Sequence, residues 1–307
     1  MASGKILKDR IKSIKNIKKV TKSMELISAI KLQKTAERSK SVNSFRKRLG
    51  ILYSDITIPK KYSNLLMLPN SSTNHVFIVF ASDRGLCGNL NTNILKAFFK
   101  TAKDIDKSNV ECVIYGKTVA KRIKNAQFKI NELYAVPETD FDFGYVALAV
   151  QNYIDRYLKG EIGSLTLIFT EFLSFSKQEI KIRKLLPLEQ DSNFGVNISE
   201  DESDDIFEPT PKRVLDYLIL ENIKMTWYSA LMNSMASEHI ARMLSMKNAT
   251  DASQDLIQNL TLEYNKSRQS AITQEIGEII SGVESLTVVQ EDVSKFQKFT
   301  IFVNNKS

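Results

Sequence analysis

Two long stretches, one near each end of the chain, repeat apolar side chains every three or four residues. Residues 5–49 and residues 212–276 contain no glycine or proline, the two residues that most often interrupt helices. Pro209 and Pro211 precede the second stretch, where proline suits the first helical turn. Both stretches are therefore predicted to be amphipathic helices, and both exceed the length that an ordinary globular domain uses.

The apolar side chains of each predicted helix form one stripe, which we expect to be the seam of a coiled coil. In the first helix the stripe comprises Ile11, Ile14, Ile17, Val20, Met24, Ile27 and Ile30. In the second helix it comprises Leu256, Leu260, Tyr264, Ala271, Ile272, Ile276, Ile279 and Val283. Because the helices lie at opposite ends of the chain, we predict that they pair antiparallel and that the residues between them form an inserted domain.

The middle of the chain alternates strand and helix patterns. Strands are predicted at residues 75–80, 110–115, 128–136, 164–173 and 178–186, and helices at 92–103, 117–125 and 144–159. The last two strands are expected to be antiparallel, and the earlier alternation predicts an α/β layer with at least two parallel strands. The acidic residues 200–205 that follow are expected to form a mobile loop.

Composition limits the classes of site that the chain can hold. Among its 307 residues there are two cysteines and two histidines, too few to suggest a zinc site or a disulfide framework. The chain contains no run of 18 apolar residues and no apolar signal core at its start, so neither a membrane span nor a leader is expected.

The net charge of +8 is concentrated in the first predicted helix. Residues 1–48 contain 15 Lys or Arg and three acidic residues, about +12 in sum. Such a helix could be a solvated face, or could bind nucleic acid, an anionic membrane or an acidic protein surface. Phe45 is its only aromatic residue, which argues against base stacking, and its apolar stripe is needed for helix pairing rather than for a membrane.

Two glycine-containing turns leave a nucleotide-binding α/β enzyme as an alternative. Gly85 and Gly88 follow a predicted strand, where nucleotide-binding folds hold phosphate, but their spacing differs from G-x-G-x-x-G. Residues 116–118 read Gly-Lys-Thr, the end of a phosphate-binding loop, yet Glu111 occupies the position of its first glycine. A tight turn that needs glycine is the simpler interpretation, and we expect no cofactor and no catalytic residues.

Four sequence stretches together resemble one family. They are residues 19–28 (KVTKSMELIS), 83–91 (DRGLCGNLN), 235–251 (MASEHIARMLSMKNATD) and 272–282 (ITQEIGEIISG). In this order, and over residues 1–285, the chain resembles the γ subunits of F-type ATP synthases. Beyond residue 285 that family usually ends soon, whereas 22 further residues follow here.

The resemblance implies a fold class, α/β, in which a long antiparallel coiled coil of the terminal helices holds an inserted Rossmann-like domain. Residues 1–58 and 209–285 would form the coiled coil and 72–208 the inserted domain, while 286–307 would be an extension without an assigned role. The implied activity is that of a rotor stalk that is not itself catalytic. The implied partners are the α and β subunits, the ε subunit and the c-ring, with δ reached only indirectly; nucleic acid is not expected.

The resemblance also implies contact residues. Those expected to meet the β subunits are Lys22, Met24, Glu25, Arg242, Arg268, Gln269, Thr273 and Glu278. Phe207 and Glu208 correspond to the foot of the stalk, near the c-ring and the ε subunit. Since no presequence is evident, the expected location is the cytoplasmic side of a bacterial inner membrane, or the matrix side if the sequence is a mature mitochondrial form.

Overall fold

Two long helices begin and end the chain. A computed structural model describes residues 2–55, 57–59, 64–136, 142–174, 177–188, 197–199, 208 and 210–304, without the side chains of 2, 3, 50, 52–59, 197–199, 211 and 284–304. Helix α1 spans Ala2–Asp55, and helix α5 spans Pro211–Asn304, so α5 continues as a helix beyond residue 285. The acidic residues 200–205 and Phe207 lie outside the described residues.

Between these helices the chain alternates strands and helices, as the sequence predicts for residues 75–186. The elements are β1 Thr57–Pro59, β2 His75–Phe80, α2 Leu90–Thr101, β3 Val110–Tyr115, α3 Lys117–Asn125, β4 Lys129–Tyr134, α4 Phe143–Leu158, β5 Ser164–Phe172, β6 Gln178–Leu186 and β7 Asn197–Ser199, with a 3-10 turn at Lys107–Asn109. Strands β2, β3 and β6 and helix α3 have the predicted bounds. Turn residues such as Gly116 and Pro187 stand at their ends, which makes such boundaries local in origin.

The five longer strands form one sheet in the order β4-β3-β2-β5-β6. β2 to β5 are parallel and β6 is antiparallel to β5, as expected. One face of the sheet packs against α2 and α3 around Phe98 and Ile123, and the other packs against α4 and α5 around Tyr153 and Trp227. A mainly parallel sheet covered by helices on both faces is the Rossmann-like layer that the resemblance implied.

The structure divides into two compact units, one containing residues up to 22 with those from 248 onwards, the other residues 23–247. In the first unit α1 and α5 pair antiparallel, with Ile14 clustered against Ile257 and Leu260. Further along this seam the contacts become polar: the Thr250 hydroxyl donates to the Thr21 hydroxyl over 2.8 Å.

In the second unit the pairing of α1 with α5 is largely polar. One small apolar cluster interrupts it, in which Leu32 is buried against Ala236 and Ile240. Two helical turns later on α1, the Ser39 hydroxyl donates to the Asn233 side-chain oxygen over 3.2 Å. Small and hydroxyl side chains let two helices approach closely while their hydrogen bonds fix the register.

The predicted seam of α1 is therefore wrong at four of its seven positions. Ile11 is half-buried and Ile14 is buried. Met24 is half-buried as well, but four members of the predicted stripe remain exposed: Ile17 54%, Val20 59%, Ile27 54% and Ile30 62%. Ten of the buried or half-buried positions instead follow an uninterrupted heptad pattern: Leu7, Ile11, Ile14, Lys18, Thr21, Glu25, Ser28, Leu32, Thr35 and Ser39. Both stripes have helical spacing, and the seam is the one that matches the surface of α5.

The predicted seam of α5 is right in part. Leu260 is buried and Tyr264 and Ala271 are half-buried, as a seam requires. Leu256 is 46% exposed, and Ile272, Ile276, Ile279 and Val283 are 46%, 52%, 66% and 55% exposed. The later positions are exposed because α1 begins opposite Tyr264, where Gly4 lies against the tyrosine ring, so α5 extends past the start of its partner. Within the described ranges, no helix is both long enough and apolar enough to cross a membrane.

Candidate interaction surfaces

The loop after the central strand β2, residues 82–89, is held from the sheet side by one carboxylate. Asp83 accepts hydrogen bonds from the backbone N–H of Lys117 over 3.1 Å and of Val136 over 2.6 Å. Lys117 is the first residue of α3, and Val136 follows β4. The carboxyl ends of three neighbouring parallel strands are thus joined through Asp83.

The same contacts explain why the Gly-Lys-Thr sequence is not arranged as a phosphate-binding loop. A phosphate would need free N–H groups at the start of α3, and the Asp83 carboxylate occupies the N–H of Lys117. The Thr118 hydroxyl, which would face a metal ion in such a loop, donates to the Ser82 carbonyl over 2.6 Å. Gly116 has φ +101°, and a Cβ there would lie 2.6 Å from the Ala81 backbone, so the glycine serves a tight turn.

The helix side of this loop contacts Arg242 of α5. Its guanidinium donates to the Glu238 carboxylate over 2.7 Å and to the Arg84 carbonyl over 3.2 Å. Arg242 is only 8% exposed and Glu238 only 7% exposed. Burial raises the pKa of the Glu238 carboxyl, while the charge of Arg242 acts in the opposite direction. A cleft of about 310 Å³ beside the pair is lined by both cationic and acidic side chains.

The contact residues implied by resemblance fall into two groups. Arg268, Gln269, Thr273 and Glu278 are exposed on α5, as is Lys22 on α1. Met24 and Glu25 are half-buried, and Arg242 is buried with its guanidinium directed at the 82–89 loop. Glu208 is exposed. The predicted contacts of these residues with partner subunits stay predictions.

Two outward-facing apolar surfaces accompany those residues. The α1 stripe, Ile17, Val20, Ile27 and Ile30, runs beside exposed lysines such as Lys19 and Lys22. The α5 stripe comprises Ile272, Ile276, Ile279, Ile280 and Val283. Contiguous exposed apolar side chains on a helix mark a surface that another protein covers. Chemically, both stripes can contact an apolar partner surface, and the lysines beside the α1 stripe suit acidic neighbours on such a surface.

Sequence reasoning missed the Arg242–Glu238 pair and the polar seam. The four-residue spacing of Glu238 and Arg242 is a signal for a helical ion pair, but spacing alone does not reveal burial. Thr21, Ser28 and Thr35 are seven residues apart, and with Glu25 and Leu32 between them they repeat every four and three residues, which is also a heptad signal. This polar heptad does not stand out in the sequence because coiled-coil seams usually consist of apolar residues.

Comparisons with known proteins agree with one another. The sequence model of the family described as ATP synthase matches residues 3–286. An ATP synthase γ chain from Verminephrobacter eiseniae is 34% identical over 289 residues, which covers 92% of this chain and 98% of that one. One from Geobacter metallireducens is 34% identical over 291 residues, covering 93% and 99% respectively.

Among solved structures, a chain in the cryo-EM structure of Euglena gracilis mitochondrial ATP synthase (OSCP, F1 and c-ring, rotational state 3) superposes with a TM-score of 0.68. The match covers 93% of this chain and 95% of the other, at 17% sequence identity. At that identity the likeness concerns the fold: two long terminal helices and an inserted α/β layer.

Proposed function

The chain belongs to the family of ATP synthase γ chains, and on that premise we propose that it is the central rotor stalk of a proton-translocating F1Fo ATP synthase. It couples rotation of the c-ring to conformational cycling of the catalytic β subunits. Its partners are the α and β subunits around the helices and the ε subunit and c-ring at the foot, with δ reached indirectly.

The observation that carries this proposal is the placement of polar and apolar side chains on α1. The seam between the two helices contains Thr21, Ser28, Thr35 and Ser39, all buried, while isoleucines such as Ile27 and Ile30 face outwards. A self-contained coiled coil would place its isoleucines in the seam. A shaft enclosed by other subunits needs the opposite arrangement, because its outer surface is also a contact surface.

The exposed part of α5 supports the same function. The side chains of Arg268, Gln269, Thr273 and Glu278 are all exposed on this helix. We assign them to contacts with the β subunits, since polar, exposed side chains form bonds that can be exchanged as the shaft turns. Lys22, Met24 and Glu25 are assigned to a lower contact on α1, where exposed lysines favour an acidic partner surface.

The chain acts mechanically and has no catalytic role of its own. The groups that could have bound phosphate are engaged with Asp83 and Ser82 inside the fold, which argues against the nucleotide-binding enzyme. Its place is peripheral to the membrane, reached through the rest of the complex. The bacterial γ-chain relatives favour the cytoplasmic face of an inner membrane.

Purification of the native complex through a tagged chain tests this function. Mass spectrometry should find the α, β, ε and c subunits in fixed proportion, together with ATPase activity in the same fraction. Recovery of the chain alone, or with nucleic acid and without α and β, would contradict the rotor function and favour a basic adaptor.

A pair of substitutions on the exposed α1 stripe sharpens the test. Ile27→Asp combined with Ile30→Asp places two carboxylates on the proposed contact surface and should reduce recovery of α and β. The control is Gln33→Asp, a carboxylate on an exposed position of the same helix outside the stripe. Equal recovery from both variants would show that the isoleucine surface is not a subunit contact.

A further inference from the structure

The 82–89 loop is held to α5 by two independent contacts. Arg242 reaches the Arg84 carbonyl over 3.2 Å and the Gly85 carbonyl over 3.5 Å. One helical turn after Arg242, Ser245 of α5 lies against Gly88 of the loop. A Cβ on Gly88 would be only 3.1 Å from the Ser245 hydroxyl oxygen. Gly88 has φ +59°, which the loop needs in order to turn towards the helix.

The fastening by Arg242 uses a buried charge. Desolvating a guanidinium is costly unless its donors are satisfied, and here they meet the Glu238 carboxylate and two backbone carbonyls. Arginine suits this task because its rigid fork can address several acceptors at once. On an exposed helix face, water would satisfy the guanidinium and no loop carbonyls would be needed. Because Arg242 is buried, the loop carbonyls are part of its hydrogen bonding, and the pair thereby connects the loop to the helix.

The opposite side of the loop is attached to the sheet. Asp83 accepts from the N–H groups of Lys117 and Val136, which lie at the carboxyl ends of β3 and β4. Ser82 accepts from Asn91 over 2.7 Å and from Thr118 over 2.6 Å. One short loop therefore joins α5 to the ends of three parallel strands.

We propose that Arg242 and Glu238 are positioning residues that lock the 82–89 loop onto α5 and so transmit torque between the inserted domain and the C-terminal helix. The torque part rests on the rotor function proposed above, whereas the lock itself is a property of the folded chain. Arg242 thereby acts on the sheet through the loop and need not touch a partner subunit.

The chain contains its own reporter for the lock. Cys87 lies in the loop and is 2% exposed, with its sulfur 3.2 Å from the Asn91 side-chain nitrogen. Cys112 lies in β3, fully buried, and burial raises its pKa to about 12. Modification of Cys87 by a maleimide in the full-length chain measures loop opening, and Cys112 serves as an internal control for unfolding.

Arg242→Ala should accelerate modification of Cys87 by about tenfold or more, since the lost bonds involve a charged donor. Arg242→Lys keeps the charge without the fork and should give an intermediate rate. Cys112 should stay protected in both variants. Arg122→Ala, which removes an exposed arginine of α3 in the same unit, is the matched control and should leave both rates unchanged.

Two results would overturn the lock. An unchanged Cys87 rate in Arg242→Ala would show that the loop closes without Arg242. Equal acceleration of Cys87 and Cys112 would show that Arg242 stabilises the whole unit instead of the loop.

The mechanical role needs the assembled complex. With Arg242→Ala, the number of protons pumped per ATP hydrolysed should fall, and with Arg122→Ala it should not change. Equal ratios in the two complexes would refute torque transmission through the lock even if the thiol rates respond. A chain that fails to recover α and β subunits would instead refute the rotor function, and the thiol measurement would still decide the lock.

Discussion

Replacing Leu32 should destabilise the protein far more than replacing Ile27, although Ile27 belongs to the more obvious apolar stripe. Leu32 is 3% exposed and packs against Ala236 and Ile240 of α5. Ile27 is 54% exposed. Both substitutions to alanine remove apolar side-chain atoms from the same helix, so the contrast isolates which face of α1 is the seam.

The expected magnitudes follow from burial. Truncating a buried leucine to alanine costs about 2–5 kcal/mol, and we expect about 2–3 for Leu32→Ala because the flexible side chain of Met243 in the same cluster can relax into part of the cavity. Truncating a half-exposed isoleucine loses about half of its transfer free energy, roughly 1 kcal/mol. Alanine then returns a few tenths of a kcal/mol in helix propensity, so Ile27→Ala should cost less than about 1 kcal/mol.

Urea unfolding of the full-length chain measures both values. Trp227 is the single tryptophan, is fully buried and belongs to the same unit as Leu32 and Ile27, so its fluorescence reports the relevant transition. The slope of the free energy against urea should be equal in the two variants, which is the condition for comparing their stabilities. The wild-type chain and Gln33→Ala, an exposed position of the same helix, are the references.

Two outcomes would refute the reasoning. If Ile27→Ala were as costly as Leu32→Ala, the isoleucine stripe would lie in the seam and the polar heptad would be exposed. If both changes were neutral, the pairing of α1 with α5 would contribute little to this unit in the isolated chain.

Three further results are expected. Glu111→Gln should be more destabilising near pH 7 than near pH 3. Burial acts to raise the pKa of the Glu111 carboxyl, but the hydrogen bond and charge of Arg156 outweigh it, so the pKa in the folded state is lowered. The stabilisation by the ionised carboxylate is therefore present above the unfolded pKa of 4.5 and is lost as the pH falls through the folded pKa. Urea unfolding across this range measures the difference, and a constant difference would contradict the linkage. Gly116→Ala should lower the free energy of unfolding by about 1–3 kcal/mol, because alanine is strained at φ +101° and its Cβ would collide with backbone; wild-type stability in the same assay would show that the turn relaxes. Arg268→Ala combined with Gln269→Ala should reduce ATP synthesis by the complex without reducing its abundance, each side chain losing polar contacts of about 0.5–3 kcal/mol, and normal synthesis would show that both remain solvated.

The sequence by itself determined the elements that depend on local chemistry. The absence of glycine and proline over residues 212–276 predicted an uninterrupted helix. In the structure α5 runs through that whole range without a break. The apolar run of β3, the helical pattern of α3 and the glycine between them predicted the bounds of both elements, since strand and helix signals extend over only a few neighbouring residues. The two helical patterns at opposite ends of the chain and the strand–helix alternation between them predicted two paired terminal helices with an inserted α/β layer, and the four family motifs agreed with that arrangement.

Only the tertiary structure decided which side of each helix faces its partner. Two stripes on α1 have helical spacing, and no local rule separates them. The choice depends on the surface of α5, where Thr250 lies 229 positions from the Thr21 hydroxyl that it bonds. The contacts of Arg242 depend on tertiary structure for the same reason: its acceptors at Arg84 and Gly85 come from a loop about 157 residues earlier in the chain, and only folding brings them within 3.2–3.5 Å.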